Sequence, residues 1–203
     1  MLKEIVEKGH YCFVEKVDSW QDAIRQSYAP LLKDNTVENE YVEAVIECVN
    51  KYGPYIVIVP GIAMPHSTEG AVGCNGTAIS FMKVEEEVDF DPEDPDKKAK
   101  LFFSLAAIDH DQHIQNIQSL MDTLMNEDTV DALMSAKTKE DLEKIDMLLL
   151  ESHILDKETK DTIIKLYEQG YYLGIISNNS IRNVEYILER EGIKKYFNKK
   201  ENR

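Results

Sequence analysis

The chain has 203 residues, 43% of them hydrophobic, enough to build one large domain or one domain with an appendage. Its formal charge of −15 repels phosphate backbones and anionic lipid surfaces, which disfavours nucleic-acid and membrane partners and leaves room for a basic protein partner. No stretch approaches the roughly 18 consecutive apolar residues of a membrane span, and Cys12, Cys48 and Cys74 form no C-x-x-C pair, so a cytoplasmic protein with reduced thiols is expected.

Residues 2–8 have the pattern of a short opening helix, and Tyr11-Cys12-Phe13-Val14 that of a strand. Ser19 is placed to cap a helix from Trp20 to about Leu32, in which Trp20, Ala23, Ile24, Tyr28 and Leu31 repeat at helical spacing. Pro30 predicts a kink or an early stop. A second helix from about Val37 to Lys51 sets Tyr41, Ala44, Val45, Cys48 and Val49 on one face, and Gly53-Pro54 ends it. The apolar run Tyr55-Ile56-Val57-Ile58-Val59 reads as a buried strand closed by Pro60-Gly61.

His66 follows that run. Pro65 fixes its own backbone torsion and biases Met64 toward extended geometry, so the backbone carrying His66 is stiff. Imidazole is the one side chain that is both largely neutral and a competent nitrogen nucleophile near pH 7. His66 is therefore a candidate nucleophile, set against the plainer reading of a half-buried loop histidine.

The glycine-rich stretch from Gly70 to Gly76 lacks the spacing of a nucleotide cradle and reads as turn material. Thr77 to Met82 alternates like a strand, Glu85 to Asp96 reads as a solvated acidic loop, and Lys100 to Ile108 is a further buried strand. Asp109-His110-Asp111-Gln112-His113 comes directly after it. Helices are predicted from about Gln112 to Met125, with Ile114, Ile117, Leu120, Met121 and Leu124 facing inward, and from Asp128 to Ala136. Thr138-Lys139-Glu140-Asp141 has the form of a capping box opening another. Interleaved strands and helices give an α/β fold class. Both histidine-bearing loops leave the ends of apolar strands, and in an open α/β sheet loops at the same strand ends can converge on one site.

Trp20-Gln21-Asp22-Ala23-Ile24, the block from Gly53 to His66, and Leu105-Ala106-Ala107-Ile108-Asp109 followed by His113 resemble the enzyme IIA components of the phosphoenolpyruvate-dependent sugar phosphotransferase system. The resemblance covers about residues 1–150. It lies in the mannitol/fructose structural class, nearest the ascorbate and galactitol branch. It implies an α/β fold with a mixed sheet flanked by helices, His66 as the phosphorylated histidine and His113 as a second active-site histidine. It further implies phosphate acceptance from the carrier HPr, transfer to a cysteine of enzyme IIB, and no metal, nucleotide or other cofactor. The chain departs from the family just after Pro65-His66, where relatives often carry a small residue and an arginine and this sequence has Ser67-Thr68-Glu69. Ser67 and Thr68 are candidate phosphate-binding residues through their hydroxyls. His110 is read as a surface group or one just behind the site, and His10 and His153 have no motif around them. A homodimer is compatible with the sequence.

Residues 151–203 continue past the resemblance. Asp156 to Gln169 has a helical pattern, Tyr171 to Ile176 that of a buried strand leading into Ser177-Asn178-Asn179-Ser180, and Ile181 to about Arg190 that of a helix. This βα extension resembles a fragment of a haloacid-dehalogenase-type phosphatase, in which the position of Ser177 holds a substrate phosphate. Asp89-Phe90-Asp91, inside the acidic run, has the D-x-D form of the nucleophilic loop of such an enzyme. The expected function is a phosphocarrier with His66 as acceptor. A regulatory module signalling phosphorylation state, or a phosphatase of that second type, are the alternatives.

Overall fold

The computed structural model describes residues 1–108, 110–152, 154–177 and 181–197, apart from the side chains of residues 110–113, 115, 119, 122, 152 and 182. Among the described residues, strands β1 (Tyr11–Val14), β2 (Val57–Val59), β3 (Gly61–Ala63), β4 (Ala78–Asp89) and β5 (Lys98–Ala106) make one sheet in the order β1-β4-β5-β3-β2. β1 runs parallel to β4 and β3 parallel to β5, while the β4–β5 and β2–β3 pairs are antiparallel. The sheet is mixed.

Helices α1 (Leu2–Lys8), α2 (Trp20–Lys33), α3 (Asn39–Tyr52), α4 (His110–Leu124), α5 (Glu127–Ser135) and α6 (Lys139–Ser152) accompany it. Ser19 caps α2 by accepting the Asp22 amide at 3.2 Å, and Asp22 adds negative charge at the positive helix end. The apolar stripes of α2 and α3, including Ile24, Tyr28, Leu31, Val42, Val45 and Val49, pack with Met82, Val84, Phe102 and Ala106 of the sheet into one core. Complete burial of one such Leu, Ile or Phe stabilises the fold by about 1.5–3 kcal/mol. Where polar groups enter this core they are paired. Ser104 Oγ donates to Ser27 Oγ at 2.6 Å, Ser80 Oγ to the Ser27 carbonyl at 2.6 Å, and Ser27 Oγ to the Ile24 carbonyl at 2.8 Å.

Several elements differ from the sequence reading. Pro30 lies inside α2, which runs on to Lys33. A proline there cannot donate to the carbonyl four residues back, that of Gln26, and the Cys12 thiol points at this oxygen instead, at 3.7 Å. Burial raises the Cys12 pKa to about 12, which keeps it a protonated thiol. α3 begins at Asn39 because Val37 is spent on an isolated antiparallel bridge to Cys74, and the Glu38 amide bonds the Gly73 carbonyl at 2.8 Å.

The acidic run is not all loop. β4 continues through Glu85-Glu86-Glu87 to Asp89, with those three glutamates exposed, Val88 buried and a register shift between Lys83 and Val88. The apolar run before His66 is also divided. Only Val57–Val59 forms β2, the chain reverses at Gly61, whose φ of 88° is a left-handed value that favours glycine, and β3 follows at once.

The framework divides into two compact units, Met1–Asp146 and Met147–Arg203, with the boundary inside α6. In the second, Asp156 caps α7 (Lys157–Glu168) by accepting the Thr159 amide at 2.8 Å. α8 (Ile181–Arg190) and a 3-10 turn (Lys194–Tyr196) follow. Leu188 and Ile193 are buried there, Tyr167 meets Tyr196 edge-on at 5.1 Å, and Lys160 pairs with Glu191. The expected strand Tyr171 to Ile176 does not form, and Ile176 is 103% exposed. A strand needs a ladder partner, and among the described residues of this unit none is present.

Candidate active site

Because β3 and β5 are parallel neighbours, with Ala63 opposite Phe102, their carboxyl ends open on the same edge of the sheet. Pairing continues past β3: the Leu105 amide bonds the Pro65 carbonyl at 2.9 Å, and on the other side the Met64 amide bonds the Ile56 carbonyl at 2.7 Å. Met64 and Pro65 are thus held between two backbone segments, and His66 is the first residue beyond them.

His66 is half-buried. Its Nδ1 lies 2.7 Å from the Met64 carbonyl oxygen. A carbonyl can only accept, so Nδ1 carries the proton and the neutral ring holds its lone pair on Nε2. Desolvation by burial pulls the His66 pKa below its ordinary 6.5, opposed by the Met64 carbonyl. Tyr55 sets its ring edge-on to the imidazole, centroids 5.1 Å apart at 89°, and its hydroxyl donates to the His66 carbonyl at 2.5 Å. The arrangement presents a neutral, single-tautomer imidazole on a stiff turn.

Ser67 Oγ accepts the Glu69 amide at 3.2 Å, which leaves the hydroxyl proton for another acceptor. The Thr68 hydroxyl is turned toward the Cys48 sulfur at 3.6 Å. Glu69 takes a lysine and a phenol: Lys51 Nζ pairs with its carboxylate, and the Tyr52 hydroxyl donates to it at 2.5 Å. The Glu69 carboxylate raises the Lys51 pKa, so a cation from α3 stands beside the loop that follows His66.

His113 and His110 fall within the backbone of α4, but their side chains lie outside the described residues, as do Asp109 and His153. α4 opens four residues past Ala106, so its first turn stems from the sheet edge that carries His66. Of the remaining candidates, His10 is buried against Asp34 at 2.5 Å, and burial raises the Cys74 pKa while its thiol points to the Gly76 carbonyl at 3.2 Å. Asp89 ends β4 and accepts the Asp91 amide at 3.1 Å, and Asp91 accepts the Glu93 amide at 3.1 Å, so this D-x-D is turn-building. Ser177 is exposed. Among the described residues, no three His, Cys, Asp or Glu side chains are grouped to hold a metal ion, and no helix is long and apolar enough to cross a membrane.

The family profile described as phosphoenolpyruvate-dependent sugar phosphotransferase system, EIIA 2, matches residues 4–146. A second profile, described as haloacid dehalogenase-like hydrolase, matches residues 99–200, beginning within β5, which the structure builds into the five-stranded sheet. The mannitol-specific cryptic phosphotransferase enzyme IIA component of Escherichia coli (strain K12) is 33% identical over 144 residues, 71% of this chain and 96% of the relative. The ascorbate-specific PTS system EIIA component of Shigella boydii serotype 4 is 29% identical over 128 residues, 63% of this chain and 82% of the relative. In the solved complex of enzyme IIAMTL and phosphorylated enzyme IIBMTL from Escherichia coli, one chain matches with a TM-score of 0.55 at 26% identity, covering 67% of this chain and 92% of that one.

Proposed function

The chain belongs to the phosphoenolpyruvate-dependent sugar phosphotransferase system EIIA 2 family, and from that premise we propose that it is a phosphocarrier whose His66 takes a phosphoryl group from phospho-HPr and passes it to a cysteine of a cognate enzyme IIB. The observation that carries this is the bond from His66 Nδ1 to the Met64 carbonyl, which puts the lone pair on Nε2. That lone pair attacks phosphorus in line, the nitrogen–phosphorus bond of the donor phosphohistidine breaks, and the donor ring recovers its electron pair. On His66 the ring then carries a positive charge beside the phosphoryl dianion, and the Met64 carbonyl stabilises the charged Nδ1–H. Attack by a cysteine thiolate breaks the new bond and returns the neutral ring. His113 and the Ser67 hydroxyl are the proposed donors to the phosphoryl oxygens, with loop amides beside them. Thr68, turned toward Cys48, has the weaker claim. The relative named for ascorbate supports a sugar-uptake setting of the ascorbate kind, and the one named for mannitol supports the wider mannitol class.

Incubation with phosphoenolpyruvate, enzyme I and HPr, followed by mass spectrometry, tests the assignment. Acid-labile phosphate is expected on His66 and absent from a folded His66→Ala chain; undiminished labelling of that variant would refute it. His113→Ala is expected to slow transfer by about 100-fold while His66 remains the labelled residue. Passage of the label to an enzyme IIB cysteine separates a carrier from a regulatory module. The match to the haloacid dehalogenase-like profile supports a second reading as a phosphatase. Magnesium-dependent turnover that survives His66→Ala and is lost in Ser177→Ala would favour it.

A further inference from the structure

The backbone around His66 is held by three phenols drawn from three different parts of the fold. Tyr28, on α2, directs its hydroxyl to the Pro65 carbonyl at 2.8 Å and to the Leu105 carbonyl at 2.9 Å. Tyr41, on α3, donates to the same Leu105 carbonyl at 3.1 Å, and the Ser67 amide faces its hydroxyl oxygen. Tyr55, just ahead of β2, donates to the His66 carbonyl at 2.5 Å. Residues 65, 66 and 67 each therefore meet a tyrosine hydroxyl through the backbone. The Leu105 carbonyl, one residue before the end of β5, ties the same assembly to the strand that leads into α4.

We propose that Tyr28, Tyr41 and Tyr55 are positioning residues for phosphoryl transfer, a clamp that fixes the peptide planes on both sides of His66 so that the ring keeps one tautomer and one direction of approach. This rests on the reading of His66 as the phosphoacceptor. Phenylalanine would fill the same core space, so packing alone does not call for these hydroxyls. A buried hydroxyl needs only one acceptor, and any carbonyl within reach would satisfy it. Here all three converge on a three-residue segment whose flanking peptide sets the tautomer. The Met64 carbonyl belongs to the peptide bond with Pro65, and the next peptide plane is the one Tyr28 holds. Loss of that hold frees the Pro65–His66 plane to turn and loosens the bond from Nδ1 to Met64. Tyr28 is fully buried and edge-on to Tyr41, centroids 5.8 Å apart at 79°. Burial raises both phenols, Tyr41 to about 12, so they remain donors across the working pH range.

The test uses the full chain with Tyr28→Phe, Tyr41→Phe and Tyr55→Phe made singly. Labelling by phospho-HPr is followed over a range of HPr concentration, and the His66 ring nitrogens are observed by 15N NMR. The expected result is a maximal transfer rate lowered by about tenfold per variant, with the half-saturating HPr concentration unchanged. The ring-nitrogen signals should move from a single Nδ1–H tautomer toward a mixture. A rate and tautomer equal to those of the parent chain, in variants that melt as the parent does, would overturn the clamp and leave the phenols as ordinary core. Should Tyr28→Phe fail to fold, Tyr55→Phe, at a half-buried position, carries the comparison. Absence of label on the parent chain would instead sink the phosphocarrier reading. The ring-nitrogen spectra need no phosphate donor and then decide the clamp by themselves.

Discussion

At His66 two influences on the ring oppose one another, and burial outweighs the Met64 carbonyl, so the folded pKa lies below 6.5. The sign of the pH effect follows. Between 6.5 and the lower folded value the unfolded chain binds a proton at this ring and the folded chain does not, so stability falls as pH drops through that window. Phosphate acceptance, which needs the neutral ring, is expected to persist below pH 6.5 and to fail only beneath the folded value. An NMR titration of His66 should give a midpoint under 6.5; a midpoint at or above it would contradict the burial assigned to the ring. Pro65-His66 was legible in the sequence because a proline stiffens its neighbourhood whatever surrounds it. The Met64 bond was not, since it depends on a ring orientation that no spacing encodes. Tyr28 and Tyr41 read as core because their spacing matches the apolar faces of α2 and α3. A signal was nevertheless present, for a tyrosine at a core position carries a hydroxyl that must be answered. The contact of Lys51 and Tyr52 with Glu69 joins residues 18 and 17 apart and leaves no local pattern.

Among the elements, β3 escaped the sequence because Pro60-Gly61 looks like an end and serves as a reversal. Three residues make too short an apolar run to declare a strand, and Gly61–Ala63 takes its pairing from β5 on one side and β2 on the other. Gly61 is the sensitive point. Its φ is 88°, and a Cβ there would stand 2.8 Å from Met134 Cε. Gly61→Ala is expected to destabilise the fold by about 1–3 kcal/mol, read as a lower denaturation midpoint, and to slow His66 labelling. An unchanged midpoint would show that Met134 yields and that the turn accepts the side chain. Charge misled in the other direction at Glu85 to Asp89. A run of carboxylates suggests loop, yet β4 holds its course there by leaving Glu85, Glu86 and Glu87 exposed and burying Val88. Lys83, itself buried, donates to Glu85 at 2.7 Å, so one of those acids answers a cation the core has enclosed.

For the molecule as a whole, the mixed α/β class was legible because interleaved apolar runs and helical stripes admit few layerings. The strand order was not, since the parallel pairing of β3 with β5 is a long-range choice. The family match ends at residue 146, and a relative covered to 96% by 144 matched residues has little beyond that stretch. We therefore expect a chain cut after Ser152, where α6 closes, to take phosphate on His66 as the full chain does. Loss of labelling in a folded truncation would show that the tail takes part. The acidic excess belongs to residues 1–146, while residues 147–203 hold acids and bases in near-equal number. The segment Tyr171 to Ile176 shows where local preference runs out: its residues favour extended backbone, but a ladder takes two. Outside any ladder, Tyr171, Tyr172, Ile175 and Ile176 turn aromatic and aliphatic side chains to solvent, a surface on which another extended chain can be recruited. Crowding such molecules together raises the frequency of those encounters with the square of their number. Handling at high concentration is then governed by a part of the polypeptide remote in sequence from the imidazole, and one charged side chain placed at Ile176 would be the natural remedy.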